Sequence, residues 1–322
     1  MIHVSVIVPI HNAGKYLNDC LNALHEQTMQ EMEFVLVLDC PTDGSDVVAK
    51  RYAQSDSRFV IVENDMNLHI GPSRNKGIDK AKGTYLAFCD HDDIMEPDMY
   101  QLLYNEAVSY HADIVISRPA IMQQGQKIPW EINATTKPQI LSDLLSSGGS
   151  KQNISHLCNI HNVLYRAILI QEHAIRFVNT KTNTPEDVFF NIETIYAAQT
   201  VYIFPQALYY HRIIEDSTGH QSQYLSWRNR FNGLQYIYDW LISRRLYDSM
   251  QTDFSLMVQK KISDGLLSII VHKGSYEEFQ TAYRQARHYP FTQTAFRNYR
   301  DEQPRPLIKK IIRRILAFCL AL

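Results

Sequence analysis

The chain has 322 residues, of which 32 are Lys or Arg and 34 are Asp or Glu, so its formal net charge is −2. Hydrophobic residues make up 45% and charged residues 20%, proportions that exclude a disordered or fibrous chain. The balanced charge argues against a globally basic protein that binds nucleic acid. Scattered cysteines without a C-x-x-C pair exclude a disulfide framework and a zinc ribbon, and they favour a reducing compartment.

The first 118 residues alternate short apolar runs with amphipathic segments. The runs are rich in β-branched residues and predict buried strands at residues 4–10, 34–38, 59–62, 85–89 and 114–117. The segments between them have apolar positions at helical spacing and predict helices at residues 15–27, 43–53, 73–81 and 98–111. Strands that are buried on both faces and separated by helices form a parallel sheet. Because ligands bind beyond the carboxyl ends of such strands, the residues just after each run are candidates for a site.

An acidic cluster, Asp90-His91-Asp92-Asp93, follows the fourth apolar run directly. Two carboxylates about 4 Å apart repel each other by about 4 kcal/mol at an effective dielectric of about 20, unless a cation or a basic group lies between them. Carboxylate oxygens are the ligands that Mg²⁺ and Mn²⁺ prefer. The cluster therefore predicts a divalent-cation site. The simpler alternative is a solvated turn in which Asp93 caps the next helix.

Several motifs, in order along the chain, resemble those of the family 2 glycosyltransferases. They are V-S-V-I-V-P-I-H-N from Val4, L-D-C-P-T-D-G-S from Leu38, N-x-x-x-G-x-x-R-N-x-G from Asn67, D-H-D-D from Asp90, T-P-E-D from Thr184 and Y-Y-H-R from Tyr209. The resemblance covers about residues 3–118 and resumes near 185–217. The sequence departs from the family pattern at His11, where Tyr is usual, and at Leu38 and Cys40, where Asp and Gly are usual.

The resemblance implies a fold, an activity and a division of the chain. The fold is an α/β, Rossmann-like GT-A fold, with a mainly parallel sheet flanked by helices. Residues 1–118 would form the nucleotide-sugar-binding half, residues 119–216 the acceptor-binding half, and residues 217–322 a helical C-terminal region. The activity is inverting, metal-dependent transfer of a hexose-type sugar. We expect a nucleotide-diphosphate donor, UDP-linked, and a saccharide or lipid-linked saccharide acceptor.

The resemblance also assigns residues to the donor. Asp39 would accept a hydrogen bond from the uracil N–H, and Arg74 would support that base or its carboxylate partner. Asp90 would contact the ribose or orient its loop, and Arg212 would hold the diphosphate through its planar guanidinium. The same motifs add further donor-binding residues, namely Pro9, His11, Asn12, Asn67 and His91. The simpler interpretations are that Asp39 caps a turn and that Arg74 forms a surface ion pair worth under about 1 kcal/mol.

Metal and catalytic residues follow from the same motifs. Asp92 would ligate Mn²⁺ or Mg²⁺ on the diphosphate, with Asp93 and His211 as further ligands. Inverting transfer also needs a carboxylate that takes the proton from the acceptor hydroxyl. Asp187 is the expected base and Glu186 an acceptor-site ligand or orienter, with the order of the two left open. The alternative is an acidic first helical turn favoured by the helix dipole.

The end of the sequence, residues 307–322, has the pattern of an amphipathic helix. Apolar residues cover one half of a helical wheel, and the other half carries Lys309, Lys310, Arg313 and Arg314. This pattern predicts a basic helix lying on a membrane surface, whereas a helix docked on the protein's own core is the alternative. The start shows no leader, and no apolar run reaches the roughly 20 residues of a membrane span. We therefore expect a cytoplasmic protein held peripherally on the inner face of the cell membrane. The sequence does not decide whether the chain forms a homo-oligomer.

Two other functions fit parts of the sequence. A sugar-phosphate nucleotidyltransferase also combines an α/β sheet with acidic metal ligands, but it would want a Gly-rich, basic phosphate loop after the first strand. Residues 11–15, H-N-A-G-K, are a poor substitute for that loop. A catalytically silent scaffold of a membrane polysaccharide-synthesis complex is the third candidate, because His11, Leu38 and Cys40 depart from the family pattern.

Overall fold

The computed structural model describes residues 1–123, 125–129, 136–147, 159–179, 186–212, 227–271 and 275–297. The amphipathic segment predicted at residues 307–322 lies outside these ranges, and so does Thr184 of the T-P-E-D motif. Within the described part of the chain, no helix is both long and apolar enough to cross a membrane.

Strands and helices alternate through the first part of the chain, as predicted. They are β1 Val4–Ile10, a 3-10 turn Gly14–Tyr16, α1 Leu17–His25, β2 Met32–Leu38, α2 Ser45–Ser55, β3 Phe59–Glu63, α3 Ile70–Lys80, β4 Tyr85–Phe88, β5 Ile94–Met95 and α4 Met99–Ser109. The strand predicted at residues 4–10 has the observed bounds, and the next three are right to within two residues. The fifth, β6, continues beyond the prediction and spans Ile114–Gln123.

The rest of the described chain begins with mixed elements and ends in helices. They are β7 Gln126–Pro129, α5 Lys137–Ser147, β8 Val163–Arg166, α6 Ala167–Glu172, α7 Glu186–Ala197, β9 Val201–Arg212, α8 Trp227–Ser243, α9 Tyr247–Val271, α10 Tyr276–His288 and α11 Thr292–Arg297. The expected helical C-terminal region is thus confirmed over α8 to α11.

The described strands form one mixed sheet of nine strands, in the order β3-β2-β1-β4-β8-β6-β9-β5, with β7 paired to β6. Within this order, the stretch β3-β2-β1-β4 is parallel throughout. Strand β8 enters antiparallel between β4 and β6, and β5 pairs antiparallel with β9. Strand β9 therefore runs past the carboxyl end of β4, and this brings the Y-Y-H-R motif beside the acidic cluster.

The central strand β1 is buried at every position, as expected for a parallel strand covered on both faces. Its side chains alternate between two hydrophobic clusters, with Val6 on the α1 and α4 side and Ile7 on the α3 side. Helix α3 packs closely on this strand because it carries Gly77, where a Cβ would lie 2.3 Å from Cγ2 of Ile7. This close packing fixes Arg74, one turn earlier on α3, over the carboxyl ends of the strands.

Helices of the C-terminal region pack against the sheet domain. Helices α8, α9 and α11 share one hydrophobic cluster with α5 and α7, through side chains such as Phe231 and Phe254. Helix α7 begins with Glu186 and Asp187, the E-D pair of the T-P-E-D motif. These helices therefore support one of the motifs that contribute to the site. The helical region is therefore part of the support of the site.

Candidate active site

The predicted site residues of the first 118 positions meet at one edge of the sheet. His11 and Asn12 follow β1, Asp39 follows β2, and the D-H-D-D motif follows β4. These strands are parallel neighbours, so their carboxyl ends lie side by side. The expectation that the site lies at this edge is consistent with the observed strand order.

Asp39 holds the loop that leads into α3. Its carboxylate is buried and accepts hydrogen bonds from the backbone N–H groups of Leu68 and His69, at 2.7 and 2.8 Å, and from Asn64 Nδ2 at 2.8 Å. A carboxylate has about four acceptor positions. Three are filled here, so one is left for a further donor such as a nucleobase N–H. Asp39 thus shapes a loop, and it keeps the capacity to accept one hydrogen bond from a ligand.

A polar rim lies beside Asp39. His11 donates from Nδ1 to the carbonyl of Asp39 at 2.6 Å, so its Nε2 accepts from Asn67 Nδ2 at 3.2 Å. The Asn12 side-chain oxygen accepts from the backbone N–H of Thr42 at 2.7 Å. The structure therefore brings His11, Asn12 and Asn67 together with Asp39, as the donor-site prediction requires.

Asp93 is fully buried and ties the acidic loop to β9. One of its oxygens accepts from the Tyr209 hydroxyl at 2.7 Å and from His211 Nδ1 at 3.1 Å, and the other accepts from the Arg212 backbone N–H at 2.7 Å. Helix α4 begins only at Met99. The alternative of a solvated turn in which Asp93 caps the next helix is therefore wrong, because Asp93 is buried and Asp98 precedes α4.

Tyr209 links two aspartates of the D-H-D-D motif. Its hydroxyl accepts from the backbone N–H of Asp90 at 3.1 Å while it donates to Asp93. The neighbouring His91 donates from Nδ1 to the carbonyl of Pro9 at 3.2 Å. The loop is thus anchored to β9 on one side and to β1 on the other.

His211 and Arg212 lie next to this loop at the end of β9. The hydrogen bond to Asp93 raises the pKa of His211 to about 9, even though burial acts in the opposite direction. The guanidinium of Arg212 contacts Asp19 at 3.2 Å and lies over the Tyr16 ring at 4.6 Å. His211 is therefore adjacent to the expected cation site, and the observed contacts of the Arg212 side chain are with residues at the start of α1.

Asp92 is the acidic residue without a partner. Its carboxylate forms no hydrogen bond and no ion pair with any residue that the structure describes. Burial, with the nearby charges of Asp90 and Asp93, raises its pKa. The charges of His91 and His211 offset only part of this repulsion, and a hard divalent cation fits this position.

A second group of ligand atoms lies deeper. One ligand atom from each of Asp90, Asp93 and His161 lies within 4.8 Å of the others, so these side chains can also hold a divalent cation. However, Arg74 Nη2 lies 3.0 Å from Asp90 and 3.3 Å from His161 Nε2. A guanidinium already supplies positive charge at this depth, so the more open Asp92 is the better position for a cation.

Arg74 connects the acidic loop to the E-D pair. It is buried over the Phe177 ring, with Nη2 on Asp90 and Nη1 3.3 Å from Oε1 of Glu186. The charges of Asp90 and of the E-D pair raise the pKa of Arg74 despite the opposing effect of burial. The contacts of this arginine thus run to two acidic groups from separate motifs.

The E-D pair lies in the first turn of α7, on the side that faces Arg74. Burial, with the charge of Asp187 beside it, raises the pKa of Glu186 to about 7. Burial also raises the pKa of Asp187, whose Oδ1 accepts from the Val188 backbone N–H at 2.8 Å. One carboxylate of the pair can therefore take up a proton near neutral pH, which a solvated acidic turn would not do.

His161 lies in the same cluster as Asp90 and Arg74, although no sequence motif singles it out. It precedes β8 in a region without regular spacing, and the neighbouring Asn162 fixes it by exchanging backbone and side-chain hydrogen bonds with Ser117 of β6. The one sequence signal was a polar pair, His161-Asn162, directly before an apolar run, but such pairs are too common to indicate a site.

Part of the chain matches a known family model. The model described as glycosyl transferase family 2 matches residues 5–171, just over half of the chain. Two relatives are from Bacillus subtilis (strain 168): the putative glycosyltransferase EpsH, 31% identical over 215 residues, and the uncharacterized glycosyltransferase EpsJ, 29% identical over 214 residues. Each match covers 65% of this chain and 60% of the relative, so the chain spans less than two thirds of the length of these relatives.

Solved structures have the same fold. Residues 1–349 of S. aureus TarS, in complex with UDP-GlcNAc, superpose with a TM-score of 0.73 at 18% identity, covering 99% of this chain and 88% of that one. The mannosyltransferase PcManGT from Pyrobaculum calidifontis, with GDP-Man and Mn²⁺, gives a TM-score of 0.55 at 12% identity, covering 99% and 86%. The GT-A fold predicted from the motifs is confirmed, and the chain belongs to glycosyl transferase family 2.

Proposed function

We propose that this chain transfers a hexose-type sugar from a UDP-linked donor to a saccharide or lipid-linked saccharide, with inversion at the sugar carbon and with a divalent cation. The observation that carries the proposal is the arrangement around Arg74. This residue holds Asp90 of the acidic loop and Glu186 of the catalytic pair, at 3.0 and 3.3 Å. Donor-side and acceptor-side groups thus face each other across one guanidinium.

The donor would bind at the carboxyl ends of β1, β2 and β4, within residues 1–118. Asp39 has one acceptor position left for a uracil N–H, and the rim formed by His11, Asn12 and Asn67 lies beside it. Asp90 and His91 would line the path from the ribose to the diphosphate, with Pro9 accepting from His91. The UDP-GlcNAc complex of TarS, a protein with this fold, supports a UDP-linked donor.

The cation, Mn²⁺ or Mg²⁺, would be held by Asp92, with His211 and Asp93 next to it. When bound, it would neutralise the charge that develops on the departing diphosphate. His211 would act as a ligand through Nε2 only after losing a proton, whereas in its charged form it can donate to a phosphate oxygen. Arg212 would approach the diphosphate from the same strand. The Mn²⁺ complex of PcManGT supports a divalent cation.

The acceptor would bind against the half formed by residues 119–216. Asp187 would take the proton from the acceptor hydroxyl as that oxygen attacks the sugar carbon, and Glu186 would orient the hydroxyl through its contact with Arg74. Burial has raised the pKa values of both carboxyls, so each is a stronger base than a solvated acid. Attack from the face opposite the leaving diphosphate gives inversion.

A panel of UDP-sugars with Mn²⁺ tests this proposal. We expect release of UDP with one donor, and loss of sugar transfer with retained UDP affinity in Asp187→Asn. Full transfer by Asp187→Asn would remove this residue from the role of base. Consumption of UTP with a sugar phosphate would instead indicate a nucleotidyltransferase, and binding without turnover of any donor would indicate a scaffold.

Location at the inner face of the cell membrane is a separate proposal, based on the sequence of residues 307–322. Their basic and apolar halves would hold the enzyme near a lipid-linked acceptor. Vesicle flotation of the full chain against a form ending at Asp301 tests this. We expect the full chain, but not the form that ends at Asp301, to float with anionic vesicles. Equal flotation of both forms would reject the idea.

A further inference from the structure

His161 is buried at the centre of the site, where it contacts two charged groups. Its Nε2 lies 3.1 Å from Oδ2 of Asp90 and 3.3 Å from Nη2 of Arg74. An ionised carboxylate only accepts hydrogen bonds, so Nε2 carries a hydrogen that points to Asp90. The other ring nitrogen, Nδ1, is buried without a hydrogen-bond partner in the described part of the chain. The ring is therefore held by Nε2 and by packing.

The packing partner is Tyr209. The two rings are stacked, with centroids 5.5 Å apart and planes 14° from parallel. Tyr209 is also the residue whose hydroxyl fixes Asp90 and Asp93. The imidazole therefore has a fixed orientation, and its hydrogen bond divides the oxygens of Asp90 between two donors: Oδ2 faces the imidazole and Oδ1 faces Arg74.

The sharing of the two Asp90 oxygens determines which groups Arg74 can contact. A guanidinium beside a single carboxylate tends to bind both oxygens with two parallel N–H groups. Here one oxygen of Asp90 is engaged by the imidazole, and Nη1 of Arg74 lies instead on Glu186. We propose that His161 is a positioning residue. It holds one oxygen of Asp90, and so leaves the Nη1 amino group of Arg74 for the expected catalytic pair, Glu186 and Asp187.

The inference rests on the proposed function, but it concerns the contacts that Arg74 makes with Asp90 and Glu186. Without the imidazole N–H, Arg74 would turn both amines to Asp90, and Glu186 would lose its cationic partner. The damage would fall on the acceptor-side carboxylates, because Asp90, the expected donor residue that His161 contacts, keeps its ion pair with Arg74. Asp39 and Asp92 have no contact with His161 among the described residues. Turnover would therefore drop while nucleotide binding stays.

The test uses two variants and a matched control in the full chain. His161→Phe keeps a ring against Tyr209 but removes the N–H, and His161→Gln restores an amide N–H near the position of Nε2. We expect His161→Phe to lower kcat about 10- to 100-fold, the range typical of residues that orient a site from behind, with the donor KM and the affinity for UDP with Mn²⁺ within threefold of wild type. His161→Gln should recover most of kcat. The control is His173→Phe at an exposed histidine that directly follows α6, which should change nothing.

A crystal structure of His161→Phe gives a readout that does not depend on activity. We expect both amines of Arg74 on Asp90, and more than 3.5 Å between Arg74 and Glu186. Wild-type kcat in His161→Phe, an equal loss of UDP affinity and kcat, or an Arg74 that still bridges the two acids would overturn the inference. Absence of transfer by the wild-type chain would instead contradict the proposed function, and the crystal structure would still decide the role of His161.

Discussion

Arg74 Nη1 lies 3.3 Å from Glu186 Oε1, although the two residues are 112 positions apart in the sequence. This contact joins α3 to the first turn of α7. It also places a carboxyl with a raised pKa beside a permanent positive charge. Gain or loss of a proton at Glu186 therefore changes the charge next to Arg74.

The first prediction concerns the pH dependence of stability. The pKa of Glu186 rises from its usual 4.5 to about 7 on folding, so the folded chain binds a proton that the unfolded chain releases. Stability from this group is fully present below pH 4.5 and is lost as the pH rises through 7, by on the order of 3 kcal/mol. Glu186→Gln should flatten the curve of unfolding free energy between these pH values. Urea unfolding at several pH values measures this pH dependence of the unfolding free energy.

The control is Glu172→Gln at an exposed site, which should leave the pH dependence unchanged. Parallel curves for wild type and Glu186→Gln would contradict the prediction.

The second prediction concerns the hydroxyl of Tyr209. Tyr209→Phe leaves the buried Asp93 oxygen and the Asp90 N–H without this partner, so we expect a loss of about 1–3 kcal/mol in unfolding free energy. Because the acidic loop loses an anchor, the affinity for Mn²⁺ with UDP should also fall. Tyr210→Phe is the matched control, since the hydroxyl of Tyr210 bonds to Glu96 at 2.7 Å. Calorimetric titration showing equal Mn²⁺ affinity in both variants would rule out the anchoring role.

The third prediction concerns the backbone of His69. This residue has φ 68° and ψ 173°, a conformation that glycine adopts and other residues rarely do. Its N–H donates to Asp39 at 2.8 Å, so the carboxylate holds the strained turn in place. His69→Gly should be more stable than His69→Ala by about 1 kcal/mol, because both variants lose the imidazole and only glycine relieves the strain, by more than its added chain entropy. A thermal melt in which the Gly variant is less stable than the Ala variant would refute this account.

The fourth prediction concerns the packing of α3 on β1. A methyl group at position 77 would lie 2.3 Å from Cγ2 of Ile7, so Gly77→Ala should cost about 1–3 kcal/mol and displace Arg74. The cost should be smaller when Ile7→Ala makes room for the methyl group. A double-mutant cycle of unfolding free energies measures this coupling. Strict additivity of the two substitutions would show that the close contact is unimportant.

The strands and the donor-side residues were predictable because their signals are local. Strand β1 is an apolar run with every side chain buried, and α1 buries Leu17, Cys20, Leu21 and Leu24 at the expected helical spacing. Parallel strands place the residues that follow them at one edge of the sheet. The position of Asp39 beside His11 and Asn67 could therefore be inferred without the structure.

The contacts that connect the two halves could not be inferred in this way. Strand β8 enters the sheet antiparallel between β4 and β6, and only this insertion brings His161 to Asp90. The parallel pairing of β6 with β9 places Tyr209 under the acidic loop. Both contacts depend on the order of strands in space, and spacing along the chain carries no signal for them.

A cation held by Asp92 can be detected by calorimetric titration of UDP, with and without Mn²⁺, into the wild-type chain and Asp92→Asn. We expect Mn²⁺ to strengthen UDP binding to the wild-type chain by about tenfold or more. Asp92→Asn should remove this gain and leave the weak, cation-independent binding unchanged. Equal UDP affinity with and without Mn²⁺ in the wild-type chain, or an undiminished Mn²⁺ effect in Asp92→Asn, would contradict a cation site at Asp92.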